Sequence, residues 1–311
     1  MEVVRGIASF HGHGHGHRQG DAICAIGNFD GVHLGHRALC AAACEGGGRP
    51  VVLTFDPHPA AVLGTAPPML TTLDRKAELV AGLGIETLVV EPFTAALAAL
   101  APDEFAAQVL HHGLGARQVV VGWNFRYGHK RAGDVASLRR AGERLGFTVR
   151  EVPPVSVDGV QASSTQIRDR VGSNDVAGAA RLLGRLHDAD GEVVHGAKRG
   201  RELGVPTANV TAPVTLLPPL GIYATTLSVL PDGPPLRGVA SLGTNPTFGA
   251  SQPRSLEVHV LDWSGDLYGR RVRVGFHSFL RGEVRFDSVD ALRTQMRRDC
   301  DDARARFEAS P

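Results

Sequence analysis

Two histidines three residues apart, set among glycines, are where this chain first offers chemistry. The stretch reads Gly27-Asn-Phe-Asp-Gly-Val-His-Leu-Gly-His36. An apolar run ending at Ile26 leads into it, and a helical run from about Arg37 leads out. A strand, a glycine-punctuated turn and a helix N-terminus form an anion-binding geometry. First-turn amides have no intrahelical partner, and the helix dipole adds partial positive charge. Gly27, Gly31 and Gly35 allow close approach of the backbone to a ligand. His33 and His36 point the same way, as donors to phosphate oxygens. Taken alone, H-x-G-H also reads as a βα turn carrying two surface histidines.

Three more polar segments follow in the first half. Thr54-Phe-Asp-Pro-His-Pro59 is a rigid, extended turn that leaves Asp56 and His58 at the end of a strand; a merely stiff loop is the alternative. In Gly122-Trp-Asn-Phe-Arg-Tyr-Gly128, aromatics at 123, 125 and 127 alternate with Asn124 and Arg126. An extended segment of that kind suits a planar heterocycle, which wants stacking and a few hydrogen bonds, while core packing of the aromatics competes. Ala162-Ser-Ser-Thr-Gln-Ile-Arg168 places hydroxyl residues before a helix, with Arg168 one turn on from Ser164 and Thr165.

The second half carries a different set. Gly196-Ala-Lys-Arg-Gly-Arg-Glu-Leu-Gly204 is a basic, glycine-rich loop able to fold over phosphates. Thr207 and Asn209 follow, two apart and so on one side of an extended segment. Mg²⁺ takes few protein ligands besides substrate phosphates, and two neutral oxygens suit it; a proline-initiated turn into a strand is the alternative. In Leu256-Glu-Val-His-Val-Leu261, strand alternation puts Glu257 and His259 on one face. If that face points into a small barrel, the carboxylate needs a partner or a task, and general base toward a hydroxyl is such a task. If it points out, the pair is simply solvated.

The elements that must position these groups change character along the chain. Apolar β-type runs at 22–26, 50–55, 87–91, 118–122 and 147–152 alternate with helical stretches at 37–44, 72–83, 102–112 and 134–145. The stretch from Thr72 sets Leu73, Lys76, Leu79, Val80 and Leu83 at helical spacing. Such alternation predicts a Rossmann-like parallel sheet with helices on both faces and ligands at the C-terminal strand ends. A short helix over 176–183 ends this pattern. Strands at 190–195, 222–229, 236–242, 256–261 and 271–279 then lead to a helix from Ser288, with Val289, Leu292, Met296, Cys300, Ala303 and Phe307 as its apolar face. Five or six antiparallel strands with one helix suggest a small closed or split barrel. The expected boundary separates residues 1–183 from 184–311.

Composition excludes several classes. The 311 residues are 43% hydrophobic and 21% charged, with a formal net charge of +1, which supplies no broad electrostatic reason to bind nucleic acid or membrane. The first ten residues lack the basic start and long apolar stretch of a signal peptide, so a cytoplasmic location is expected. Four cysteines form no disulfide framework. His36, Cys40 and Cys44 share one helix face, where buried cysteines act as small core hydrophobes. His11-Gly-His-Gly-His-Gly-His17 reads as a solvated loop with weak metal-binding capacity if extended.

The four first-half segments, in this order and spacing, resemble the FMN adenylyltransferase module of the prokaryotic bifunctional riboflavin kinase/FAD synthetase family. The second half is similar to that family's riboflavin kinase module through its glycine loop and P-T-A-N. It also matches at Gly221-Ile-Tyr-Ala224, Ser241–Gly249, Glu257, Asp266–Gly269 and Phe279–Phe286. The resemblance covers about residues 20 to 308. It implies an α/β nucleotidyltransferase domain followed by a small antiparallel β-barrel with a C-terminal helix. It further implies that FMN attacks the α-phosphorus of ATP with loss of pyrophosphate. His33 and His36 then stabilise the transition-state charge, and Ser164, Thr165 and Arg168 hold the β- and γ-phosphates. Gly27, Phe29, Asp30 and Gly31 belong to the same nucleotide loop, and Asn124 lines the flavin or adenine pocket. In the kinase module, Gly196, Lys198, Gly200, Arg201 and Gly204 cover ATP, Thr207 and Asn209 bind Mg²⁺-ATP, and Glu257 deprotonates the riboflavin 5′-hydroxyl. The expected partners are riboflavin, FMN and ATP, with no nucleic acid or membrane, in a monomer or weak homo-oligomer. The competing readings are one retained activity of the two, or a non-catalytic flavin binder.

Overall fold

Valine, isoleucine and leucine dominate the central strands of the first half, and the computed structural model buries them on both sides. It describes residues 1–10, 21–196, 204–211, 214–244 and 254–309. The histidine-glycine tract at 11–17 lies outside the described residues, as do Lys198, Gly200 and Arg201. Packing divides the chain into two compact units, Met1–Ser164 and Thr165–Pro311.

The first unit is built on six parallel strands: β1 (Glu2–Arg5), β2 (Ala22–Ile26), β3 (Arg49–Asp56), β4 (Thr87–Pro92), β5 (Ala116–Gly122) and β6 (Thr148–Val152). Their order is β1-β4-β3-β2-β5-β6. All five residues of β2 are buried, as expected for a strand covered on both faces. Alternate side chains feed two cores. Cys24, Ile26, Leu53, Val89 and Val119 meet Leu110 and Leu138 on one face. Ile23, Ala25, Val52, Leu88 and Val120 meet Leu39, Cys40 and Val80 on the other. The chain leaves β2 toward β3 on one side, and β5 returns to pair on the other side. The strand order therefore reverses between β2 and β5, and a crevice opens at their C-terminal ends.

Helices Leu34–Cys44, Leu73–Ala81, Pro102–Phe105 continuing through Ala106–Gly113, and Val135–Leu145 cover the sheet. Their starts follow capping rules. Thr72 accepts the Arg75 amide at 3.1 Å, and Asp134 accepts that of Ser137 at 2.8 Å. Strand β1 was not foreseen from sequence; it is an edge strand with a single buried residue, Val4, so its alternation signal is weak.

A two-stranded hairpin, β7 (Ser156–Val157) with β8 (Val160–Gln161), precedes helix Ser164–Gly172. In the second unit, helix Val176–Leu183 packs on the barrel, with Val176 in the barrel's own core cluster. The barrel closes through β9 (His187–Val194), β10 (Ala208–Val210), β11 (Gly221–Val229), β12 (Leu236–Thr244), β13 (Arg254–Val260) and β14 (Arg271–Arg281), in the order β10-β13-β12-β11-β14-β9. Tyr223, Ala240, Leu242, Leu256, Val258 and Phe276 fill its interior. A smaller apolar layer, Ala224, Leu261, Cys300, Ala303 and Phe307, seats the C-terminal helix Val289–Ala309 on the outside. The buried residues of that helix are Asp299, Cys300, Ala303 and Phe307. Val289, expected on the apolar face, is 59% exposed because the first turns of the helix are not seated on the barrel's apolar layer.

The helix is also held by charge. Arg281, at the end of β14, grips Asp299 through two bonds of 2.7 Å, and Gln295 adds a third donor at 2.9 Å. Asp299 is nearly fully buried, so removing it strands a guanidinium. Asp299→Ala is expected to cost roughly 3 kcal/mol of barrel stability, read as a lower denaturant midpoint for the second unit, with the first unit's transition unmoved.

Candidate active sites

The histidine loop leaves the end of β2 in a backbone conformation that side chains resist. Phe29 (φ 49°), Gly31 (φ 82°) and Val32 (φ 41°) all lie in the left-handed region, and a β-branched residue there is uncommon. Such geometry persists when surrounding contacts over-determine it. Asp30 supplies the first contact: its buried carboxylate accepts the Leu70 amide at 2.9 Å and the Thr71 amide at 3.2 Å. Thr71 Oγ1 in turn accepts the Gly31 amide at 3.2 Å. Ser164 Oγ donates to the Asp30 carbonyl at 2.9 Å. The Asn28 carbonyl accepts from Thr54 Oγ1 at 3.0 Å and from Lys76 Nζ at 2.7 Å. Phe29 and Val32 are buried in the core below.

The loop ends in the first turn of helix Leu34–Cys44. His33 is its N-cap, with Nδ1 accepting the His36 amide at 3.4 Å, so the proton of a neutral His33 sits on Nε2. The His33 and His36 rings stack with centroids 3.7 Å apart, and Phe29 backs His36 at 4.9 Å. A Cβ at Gly35 would press on the His33 ring at 3.1 Å and the Ala162 carbonyl at 3.3 Å, so glycine makes room for the stack. His36 Nδ1 is buried without a hydrogen-bond partner among the described residues. Burial first, then the neighbouring His33 and Lys76, hold the His36 pKa well below its ordinary value. This is a stacked imidazole pair at a helix N-terminus, with His36 kept from protonation by burial, suited to phosphate oxygens.

Other predicted residues divide between support and exposure. The Gly27 amide is used by the Leu53 carbonyl at 3.2 Å. Phe29 and Asp30 face inward and shape the loop. His58 Nδ1 accepts the Ala60 amide at 3.2 Å, and its Nε2 lies 3.2 Å from Asn28 Nδ2. Of the aromatic comb, Tyr127 and Phe125 stack on each other at 5.6 Å and join the core, while Trp123 and Asn124 stay exposed. Thr165 is exposed and Arg168 half-buried on helix Ser164–Gly172, and both fall in the second compact unit. Cys40 is buried, which pushes its thiol up to about 12, and Cys44 donates to the Leu83 carbonyl at 3.5 Å. Sequence reasoning missed Lys76 and Thr54. A lysine among the apolar positions of a helical stripe was the available signal.

In the second unit, register settles which way Glu257 points. On β13, Leu256, Val258 and Val260 are buried inside the barrel, and Glu257 and His259 lie half-buried on its outer face. Pairing aligns Asn209, Glu257, Ser241, Ile222 and Arg281 in one row across β10, β13, β12, β11 and β14, all half-buried. Thr207 Oγ1 donates to Glu257 Oε2 at 3.3 Å, and the Pro206 carbonyl lies 2.8 Å from His259 Nδ1. Gly196 lies against the Asn209 amide, and Gly204 is exposed with φ +81°. Thr207, Asn209 and Glu257 thus form one oxygen-rich patch, at the opposite end of the row from Arg281.

Two family models match the chain, one in each half. The FAD synthetase family model matches residues 15–166, and the riboflavin kinase model matches residues 183–307. A bifunctional riboflavin kinase/FMN adenylyltransferase of Pseudomonas fluorescens is 40% identical, covering 98% of this chain and 97% of that protein. One from Escherichia coli K12 is 38% identical over 96% of each. A crystal structure from Streptococcus pneumoniae described as a macrolide-efflux protein matches with a TM-score of 0.87 at 28% identity, over 98% of this chain and 99% of that one.

The depressed His36 pKa has a consequence for stability. The unfolded chain binds a proton at this position near pH 6.5 and the folded one does not, so stability is lost as pH falls below about 6.5. Thermal melts of the first unit between pH 7 and 5 are expected to show this decline, and His36→Gln to flatten it.

Proposed function

The chain belongs to the bifunctional riboflavin kinase/FMN adenylyltransferase family, and from that membership we propose how its residues divide the work. It phosphorylates riboflavin to FMN and adenylylates FMN to FAD, consuming ATP in both steps. We assign residues 1–183 to adenylyl transfer and 184–311 to the kinase, in line with the residues matched by the two family models.

In adenylyl transfer an FMN phosphate oxygen bonds to the α-phosphorus of ATP as the bond to the β-phosphate bridge breaks, and pyrophosphate leaves. No enzyme nucleophile is needed; positioning and charge stabilisation suffice. His33, through Nε2–H, and His36 donate to the phosphate oxygens where charge builds, helped by the first-turn amides of helix Leu34–Cys44. Gly27, Phe29, Asp30 and Gly31 give the loop its shape. Ser164, Thr165 and Arg168 carry the family's role toward the β- and γ-phosphates, and exposed Asn124 that of a hydrogen-bonding group for a ring.

In the kinase step Glu257 takes the proton of the riboflavin 5′-hydroxyl, whose oxygen attacks the γ-phosphorus, and ADP leaves. A half-buried carboxylate on the outer barrel face is open to a substrate and still oriented by Thr207. The donor set of Thr207 and Asn209 beside that carboxylate fits Mg²⁺, which favours hard oxygens and retains most of its ligands from water and phosphate. Mg²⁺ supplies charge neutralisation on the phosphates when bound. Gly196, Lys198, Gly200, Arg201 and Gly204 carry the family's role as the glycine loop over ATP. Riboflavin, FMN and ATP are the partners in a cytoplasmic monomer or weak homo-oligomer, and nothing in the reaction calls for nucleic acid or a membrane.

The observation that carries this reading is that each unit holds its own polar site, the stacked histidines in one and the Thr207–Glu257 pair in the other. A chromatographic assay with ATP and Mg²⁺, started from riboflavin and separately from FMN, tests it. Glu257→Gln is expected to reduce FMN formation by at least about 10²-fold and to spare FMN-to-FAD conversion. His33→Ala is expected to do the reverse, by about 10²-fold or more. Equal damage to both steps by either change would refute two independent sites.

A further inference from the structure

Lys76 lies beneath the histidine loop, and no step above uses it. Its side chain comes from the buried face of helix Leu73–Ala81, and the residue is 4% exposed. Nζ donates to the Asn28 carbonyl at 2.7 Å and meets Thr54 Oγ1 at 3.2 Å. Thr54 Oγ1 itself donates to the same carbonyl at 3.0 Å. Asn28 is the last residue before the left-handed run of Phe29, Gly31 and Val32. An apolar side chain at 76 would satisfy helix packing without the cost of burying an ammonium, so the charge needs another reason.

We propose that Lys76 is a positioning residue for adenylyl transfer: it fixes the Asn28 carbonyl at the root of the loop and keeps a positive charge behind the His33–His36 pair that faces the phosphates of the nucleotide. This deepens the FMN adenylyltransferase reading and rests on it. The charged and titratable groups facing Lys76 are Asp30 from the loop, Asp56 from the end of β3 and His36 from helix Leu34–Cys44. Burial lowers the Lys76 pKa to about 8, against the raising influence of Asp30 and then Asp56. The ammonium therefore predominates at neutral pH and is lost as pH rises through about 8. Loss of the charge releases His36 from one of the influences that hold its pKa down.

The test uses the full chain, with kcat and KM measured from pH 6 to 9.5 for FMN adenylylation and for riboflavin phosphorylation. Wild type is expected to lose FAD-forming kcat on an alkaline limb with a midpoint near 8. Lys76→Arg, whose guanidinium stays charged throughout, is expected to keep adenylylation and push that limb beyond the range. Lys76→Met is expected to lower FAD-forming kcat by roughly 10- to 100-fold, with KM for ATP and FMN within about threefold, riboflavin phosphorylation unchanged, and the His36 pKa higher by NMR. The inference is overturned if Lys76→Met leaves FAD formation intact, or if the alkaline limb persists in Lys76→Arg. Should Lys76→Met unfold the first unit, the Lys76→Arg profile decides alone. A wild-type chain that makes no FAD from FMN would instead overturn the functional reading beneath it.

Discussion

The adenylyl-transfer half depends on one constraint, a loop of left-handed residues that must be held open at the mouth of a helix. Phe29 and Val32 each cost on the order of 1–3 kcal/mol in such a conformation. The repayment comes from hydrogen bonds to a buried charge, each worth about 1.5–3 kcal/mol. Asp30 gathers the amides of Leu70 and Thr71, and Lys76 holds the Asn28 carbonyl from the other side. A carboxylate and an ammonium thus grip one seven-residue loop from inside the protein. The His33–His36 stack and the room at Gly35 follow from this bracing.

The barrel works under a different constraint. Leu256, Val258, Ala240, Leu242 and Tyr223 fill its interior, and Glu257 and Ser241, which alternate with them, lie on the outer face. Register then determines which of them become neighbours. Asn209, Glu257 and Ser241 align because β10, β13 and β12 pair at those positions, and Thr207 reaches Glu257 from the chain just before β10. The C-terminal helix takes the adjoining part of the outer face, held by Arg281 and Asp299. Closing the barrel therefore does two jobs: it removes sheet edges and it presents a polar row that a substrate can reach.

The two halves also handle charge differently. Around the histidine loop, burial pushes His36 down and Lys76 down to about 8. On the barrel, Glu257 keeps contact with solvent. Rigid buried charge suits a reaction that needs only aligned donors. A carboxylate that must take a proton needs access to the hydroxyl that gives it.

Much of this was legible in the residues. Continuous apolar runs such as Ala22–Ile26 mark strands buried on both faces, and the alternation of Leu256, Val258 and Val260 marks a strand with one. The histidine spacing and its glycines point to an anion site, because helix N-termini expose amides whatever the fold around them. Tertiary structure decided the rest. A period of two says that Glu257 and His259 share a face but not whether it points in or out, because that depends on which face the closed barrel fills. The comb at 123–127 has a regular pattern, yet Phe125 and Tyr127 went to the core while Trp123 and Asn124 stayed out, since the segment turns rather than extends. Lys76 sits at an apolar helical position, and local pattern cannot show that the Asn28 carbonyl, 48 residues earlier in the chain, is its partner. Periodicity records which residues share a face; long-range packing alone determines what that face meets.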